Sequence, residues 1–119
     1  MVALTVAAFG YALYLSINPA AAQEMLPVPS EEDCRRVALV QGLSFTPRGN
    51  DLEPKQVIRM DDPNALCKAL GAKANYSHGC FDGGKRLDGR KQYAILPPNS
   101  SPGLDLHEAC HGRFGAWHS

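Results

Sequence analysis

The chain has 119 residues, of which 45% are hydrophobic, and its 12 Lys and Arg residues balance its 12 Asp and Glu residues. A chain of this length forms one small domain with a thin core, and extra cross-links are expected to stabilise it. The balanced charge gives no general attraction to nucleic acid or to an acidic membrane surface, so neither is expected as a partner of the folded part.

The first 22 residues are predicted to be a secretory signal peptide. Residues 2–17 are apolar and uncharged, and the helix break and small residues that follow are typical of a cleavage site, here after Ala22. Because no basic residue precedes the apolar stretch, an uncleaved N-terminal anchor is the alternative, and it would be the chain's contact with a membrane. Either way, a linker at 23–30 and a folded domain at 31–119 are expected to be exported, to the periplasm or the medium.

All four cysteines follow the predicted signal peptide. An even number of cysteines in a small exported domain predicts disulfide bonds, and four cysteines allow three connectivities. None of them forms the C-x-x-C pair of a zinc ribbon or a redox motif. Pairing Cys67 with Cys80 would tie a helix to a hairpin and would leave Cys34 for Cys110.

The first part of the exported chain contains one predicted helix between two extended segments. Residues 25–29 are spaced by prolines and form a stiff tether. Ser30 caps a helix that Gly42 closes, and Cys34 lies on its inner face. Turn-forming residues at 44–54 predict a surface loop.

The middle of the chain predicts a second helix and a hairpin. A short strand at 55–60 precedes a helix that starts with Pro63 and ends at Gly71. Residues 76–81 and 92–96 each have the character of a strand, and the glycine-rich turn between them makes an antiparallel hairpin plausible. The expected fold class is therefore α+β, with about three helices and a short antiparallel hairpin or sheet.

The last predicted helix carries the motif H-E-x-x-H. Ser101 is its cap and Pro102 its first residue. At about 100° per residue, His107 and His111 share one face and Glu108 lies beside them. Two imidazoles at this spacing bind zinc, and the neighbouring carboxylate can act as general base on a water molecule.

A third ligand is needed, because a catalytic zinc normally has three protein ligands and one open position. No Asp or Glu follows His111, so a glutamate from a downstream helix is excluded. His118 is the first candidate, because Gly115 can take a left-handed conformation that ends the helix and turns the tail back. Trp117 would anchor that turn by packing. Three other groups are alternative ligands: His78, Asp82 and the Ser119 carboxylate.

These features together resemble small exported zinc metallopeptidases of bacteria and their mobile elements. The resemblance spans residues 57–118 and is specific at the H-E-x-x-H motif. It also rests on a helix that ends in a cysteine, a Gly-Cys strand, a strand ending in proline and a Gly, Trp, His tail: Cys67, Gly79-Cys80, Ile95-Leu96-Pro97 and Gly115 to His118.

The resemblance implies a zincin-like domain in which His107 and His111 bind Zn²⁺ and Glu108 is the general base. The tail departs from the long metzincin signature, because His118 lies seven residues after His111 rather than six. The implied reaction is hydrolysis of an amide bond in a peptide or protein substrate. Four side chains could stabilise the oxyanion: Tyr76, His78, Tyr93 and Arg113.

Two other functional classes fit the same sequence. One is a non-catalytic, disulfide-stapled periplasmic interaction protein of a conjugation or envelope apparatus, with a structural or vestigial zinc site. The other is a small secreted inhibitor-like domain, which would bind no metal. An open coordination position beside a groove favours the enzyme, whereas four closed protein ligands favour a structural metal.

Overall fold

The computed structural model describes residues 24–72, 78–84 and 87–118. The predicted signal peptide lies outside these residues. Within them the chain forms three helices, and none has the length and apolar character that a membrane span requires. The helices are α1 (Glu31–Gln41), α2 (Asn64–Ala69) and α3 (Pro102–Phe114). The strands are β1 (Met25–Leu26), β2 (Lys55–Arg59), β3 (Cys80–Asp82) and β4 (Tyr93–Leu96).

The four strands form one mixed sheet in the order β1-β2-β4-β3, which confirms the α+β class. The predicted hairpin is the antiparallel pair of β3 and β4, with Cys80 opposite Ile95. The sequence did not predict that β2 and β4 pair in parallel, with α2 and β3 in the crossover between them. The lead-in expected as a tether also joins the sheet, because β1 pairs with β2 and buries Leu26.

The two longer helices begin where their capping residues predict. The Ser30 hydroxyl accepts a hydrogen bond from the backbone N–H of Asp33 at 3.0 Å, and that of Ser101 accepts from Leu104 at 3.1 Å. Gly42 ends α1 with a left-handed φ of 70°. These caps satisfy backbone groups that every helix end leaves open, so the boundaries are fixed locally.

Helix α3 lies between the sheet and α1, and it is buried on both sides. Its sheet side belongs to an apolar cluster made of Leu26, Val57, Ala94, Leu96 and Ala109. Its other side packs with α1 and the C-terminal tail in a second cluster, made of Cys34, Val37, Ala38, Cys110, Phe114 and Trp117. The motif residues of α3 are therefore carried by a helix held from two directions.

Both suggested disulfide pairs are present, and all four cysteines are paired. Cys34 and Cys110 join α1 to α3 across a sequence separation of 76 residues. Cys67 and Cys80 join α2 to β3 across 13 residues. The small core predicted from the chain length is therefore cross-linked in two places, between α1 and α3 and between α2 and β3.

The loop after α1 lies against the C-terminal end of α3. The backbone N–H of Arg48 donates to the carbonyl of Phe114 at 2.7 Å, and that of Asp51 donates to the carbonyl of Arg113 at 2.8 Å. These carbonyls belong to the last turn, which has no partners of its own within the helix. The loop therefore completes the end of the helix.

A buried lysine connects the sheet to this loop. The Lys55 side chain is 7% exposed and forms a 2.6 Å ion pair with Asp51. On the way it passes Gly112 of α3, where an added Cβ would lie 2.6 Å from the lysine Cγ. Only a glycine leaves room for this crossing.

Removing Asp51 should destabilise the fold more than removing Lys55. Asp51→Ala leaves the buried ammonium of Lys55 without a partner, at a cost of about 1–3 kcal/mol, whereas Lys55→Met keeps the packing and leaves the half-exposed Asp51 in water.

The ion pair should also make stability depend on pH. The hydrogen bond from Lys55 lowers the pKa of Asp51, so this stabilisation is present above about pH 3.9 and is lost as the pH falls through the lower folded-state pKa. Urea unfolding at several pH values measures both effects, and equal losses in the two variants would contradict this interpretation.

Candidate metal centre

Three histidine side chains converge at the C-terminal end of α3. His107 and His111 lie one turn apart on the helix, and His118 reaches them from the tail. The Nε2 atom of His118 lies 3.1 Å from that of His107 and 3.0 Å from that of His111. Within the described ranges, this is the one group of three or more His, Cys, Asp or Glu side chains arranged to hold a metal.

The other suggested third ligands do not belong to this cluster. His78 is exposed. Asp82 is the buried last residue of β3, and its carboxylate accepts from the backbone N–H groups of Gly84 at 3.2 Å and Leu87 at 3.1 Å in the turn that follows. Ser119 lies outside the described residues.

The tail turns back at Gly115 as predicted, but not through the left-handed helical conformation that was expected, because only φ has the left-handed sign and ψ does not. Gly115 has φ 68° and ψ −141°, and its N–H bonds to the carbonyl of His111. A Cβ on this residue would lie 3.4 Å from both the Cβ and the carbonyl oxygen of Arg48. The carbonyl of Trp117 then accepts from the N–H of Thr46 at 2.8 Å, so the loop after α1 also holds the tail.

Trp117 is the packing platform of the three imidazoles. Its side chain is fully buried. Its ring centroid lies 5.0 Å from that of His107, 5.3 Å from that of His111 and 4.6 Å from that of His118. The predicted anchoring role of this residue is confirmed, and it extends to the rings themselves.

Hydrogen bonds at Nδ1 orient two of the rings. His111 Nδ1 lies 2.9 Å from the carbonyl oxygen of Gly115, and His107 Nδ1 lies 2.6 Å from Oε1 of Gln41. Because these oxygens can only accept, the two contacts favour the tautomer with the proton on Nδ1, which leaves an Nε2 lone pair for the centre in both rings. Burial, with smaller contributions from neighbouring histidines, lowers the pKa of both to about 4, so both are neutral at pH 7.

The donor set fits zinc. Neutral imidazole is the form that binds metals, and lone pairs that face each other need a proton or a cation between them. Nitrogen ligands about 2.0–2.1 Å from a tetrahedral zinc lie about 3.3 Å apart. The two Nε2 separations that involve His118, 3.0 and 3.1 Å, are close to that value, and the ligand atoms of all three residues lie within 4.8 Å of one another.

Glu108 follows His107 on α3 and lines the same cleft as the three imidazoles. The residue is 3% exposed, and its Oε1 has no hydrogen-bond partner among the described residues. Burial raises the pKa of this carboxyl to about 8. A buried polar atom without a partner is costly and rare, and a cation at the imidazoles would favour the ionised form. Glu108 is therefore a titratable group without a partner at this cleft.

A cleft of about 770 Å³ opens over these residues. Its floor contains His107, Glu108, His111 and His118, and its walls include Phe81 of β3. The volume lies in the range of sites that bind small molecules or a few residues of a peptide. Strand β3 lies at one end of the sheet, so its outer edge pairs with no other strand among the described residues.

The four side chains suggested to stabilise the oxyanion differ in whether they line the cleft. Arg113 lines the cleft, although its Nε donates to Asn50 and its Nη1 to the carbonyl of Pro29. The Tyr93 hydroxyl donates to Asp88, and neither Tyr93 nor His78 lines the cleft. Tyr76 lies outside the described residues. Of the three suggested groups within the described residues, Arg113 alone lines the cleft.

Comparisons of the chain with protein-family models, curated proteins and solved structures find no match. The function is therefore inferred from the centre itself.

Two components of the centre were not predicted from the sequence: the contact from Gln41, and the loop that holds the tail. The helical spacing of Cys34 and Gln41 was the available signal for the first, because it places both on the inner face of α1.

Gly115→Ala should weaken both the fold and zinc binding. A side chain held at this backbone geometry costs about 1–3 kcal/mol, and relaxing the strain would move His118 away from its two partners. Gly103→Ala is the matched control, because Gly103 lies within α3 and an added Cβ there meets nothing closer than 3.9 Å. Urea unfolding and a zinc competition titration measure the two effects; similar results for both variants would refute the role of the turn.

Proposed function

We propose that this protein is an exported zinc-dependent hydrolase that cleaves an amide bond in a peptide or protein. One observation carries the proposal: three imidazole Nε2 atoms converge in an open cleft that is also lined by Glu108, whose buried Oε1 has no hydrogen-bond partner among the described residues. Three ligands and an accessible position are the arrangement expected of a catalytic zinc, whereas structural zinc sites are closed by four protein ligands.

The roles of the residues follow from their positions. His107, His111 and His118 would hold the metal through Nε2. Zinc held there would supply Lewis acidity toward a water molecule and the substrate carbonyl. Glu108 takes the proton of the attacking water at Oε1 and passes it to the leaving nitrogen. Its burial keeps bulk water away from that oxygen, which strengthens the electrostatic interactions it makes.

The cleft suggests how a substrate is held. Strand β3 borders the cleft through Cys80 and Phe81. It pairs with β4 along its inner edge only. An extended peptide could add to this edge as a further strand, with its carbonyl directed to the centre. Pairing of all four cysteines supports an oxidising, exported location for this reaction.

Metal analysis and a cleavage assay test the proposal. The oxidised domain without its predicted signal peptide should contain one zinc per chain and should cleave members of a mixed unstructured peptide library. A chelator should stop the cleavage, and added zinc should restore it. A protein that takes up no zinc from a micromolar solution would end the proposal.

The alternative is a non-catalytic interaction protein of a conjugation or envelope apparatus with a structural or vestigial zinc site. One observation favours it: Leu39 and Val40 of α1 are 80% and 78% exposed. Exposed apolar side chains of this size are common at contacts with other proteins. Stoichiometric zinc binding without cleavage of any library member would favour this function over the hydrolase.

A further inference from the structure

We infer that Gln41 is a positioning residue for His107, which it fixes in the tautomer and orientation that bind a metal. The inference rests on the proposed metal centre and adds a residue from a different helix to it. Its starting point is the 2.6 Å contact between Gln41 Oε1 and His107 Nδ1, across 66 residues of sequence.

The packing of α1 on α3 sets the position of Gln41. Cys34 and Gln41 are seven residues apart, which is about two helical turns, so they share one face of α1. Cys34 is bonded to Cys110, and His107 lies one turn before Cys110 on α3. The disulfide therefore fixes the register in which the end of α1 meets His107.

The end of α1 is itself well held. Gly42 takes a left-handed conformation, and the N–H of Leu43 donates to the carbonyl of Ala38 at 2.8 Å. This cap prevents fraying of the last turn, in which Gln41 lies. The amide is thus presented to His107 from a fixed backbone even though its side chain is exposed.

The chemistry of an amide makes this contact decisive for the ring. If the Gln41 oxygen faces Nδ1, His107 keeps its proton there and its Nε2 lone pair points to His118. If the amide nitrogen faced Nδ1, the proton would have to lie on Nε2 and the ring could not bind a metal at that atom. The first arrangement is the one present, and it matches the contact of His111 with the Gly115 carbonyl.

Gln41 is also the one side-chain partner that the three Nδ1 atoms have in the described part of the chain. His111 uses a backbone carbonyl, and the buried Nδ1 of His118 has no partner. Partners of this kind orient ligating histidines, and their loss typically lowers metal affinity about 10–100-fold. Since the Gln41 contact is exposed to water, we expect an effect of about 10-fold.

A substitution series separates acceptor, donor and purely structural roles. Gln41→Met keeps the length and helix propensity of the side chain but removes the oxygen, and should weaken zinc binding about 10-fold. Gln41→Glu can only accept and should bind zinc at least as tightly as the wild type. Gln41→Lys can only donate and should bind more weakly than the methionine variant. Val40→Ala, on the same exposed turn, should have no effect.

The tautomer is read independently by ¹⁵N NMR of the metal-free protein at pH 7. The wild type and Gln41→Glu should show His107 with its proton on Nδ1, whereas Gln41→Met should show a mixture. An unchanged tautomer and an unchanged zinc dissociation constant in Gln41→Met would overturn the inference. Because the NMR reading needs neither zinc nor turnover, it decides the role of Gln41 even if the protein cleaves nothing.

Discussion

Glu108→Gln should abolish hydrolysis while the protein keeps its zinc. The amide has the shape of the carboxyl group but cannot take the proton of water, and general acid–base catalysis contributes about 10²–10⁴-fold to the rate. Since Glu108 is not one of the three clustered side chains, the substitution leaves the proposed metal ligands unchanged. Turnover of the best library peptide should therefore fall at least about 100-fold with one zinc still bound per chain.

His111→Ala separates metal binding from proton transfer. It removes one of the three converging nitrogen atoms, so the purified protein should contain no stoichiometric zinc and should have no activity. Glu32→Gln, on the exposed face of α1, is the control for Glu108→Gln, because it makes the same substitution away from the centre. Activity that survives in Glu108→Gln, or zinc that survives in His111→Ala, would exclude the assigned roles.

The two disulfide bonds should differ in their effect on stability and on the centre. By loop-closure entropy, the 76-residue separation of Cys34 and Cys110 predicts a loss of about 4.5 kcal/mol of unfolding free energy when both become serine. The 13-residue separation of Cys67 and Cys80 predicts about 3 kcal/mol. Both losses are large for a domain of this size.

Zinc affinity provides the second distinction between the two disulfides. The Cys34–Cys110 bond holds α1 against the helix that carries the motif, so its removal should weaken zinc binding under conditions where the protein remains folded. The Cys67–Cys80 bond attaches α2 to β3, which borders the cleft but carries none of the three imidazoles, so its removal should leave zinc affinity near that of the wild type. Guanidinium unfolding and zinc titration of the two double variants measure both effects, and the opposite order of zinc affinities would contradict this assignment.

Local sequence signals predicted the parts of the fold that depend on local chemistry. Ser30 and Ser101 mark helix starts because a side-chain oxygen there satisfies free N–H groups of the first turn. Gly115 predicted the turn because few other residues tolerate a positive φ. The approach of His118 to His107 and His111 followed from that turn and from helical spacing, whereas bound zinc itself remains a prediction.

Contacts between distant segments could not be predicted in the same way. The parallel pairing of β2 with β4 depends on a crossover whose path no local motif specifies. Lys55 carries no signal in the sequence that it would cross α3 at Gly112 to reach Asp51. The spacing of Gln41 from Cys34 puts the two on one face of α1, but the partner of Gln41 depends on how α1 and α3 meet, which only the packed structure defines.

The parallel pair at the centre of the sheet also implies an order of events during folding. Strands β2 and β4 can meet only after the segment between them has turned back, and closing such a long loop is entropically slow. The Cys67–Cys80 bond lies within that segment and shortens it. This bond would therefore act early, as a guide that brings the strands together, whereas the long Cys34–Cys110 bond locks an arrangement that has already formed.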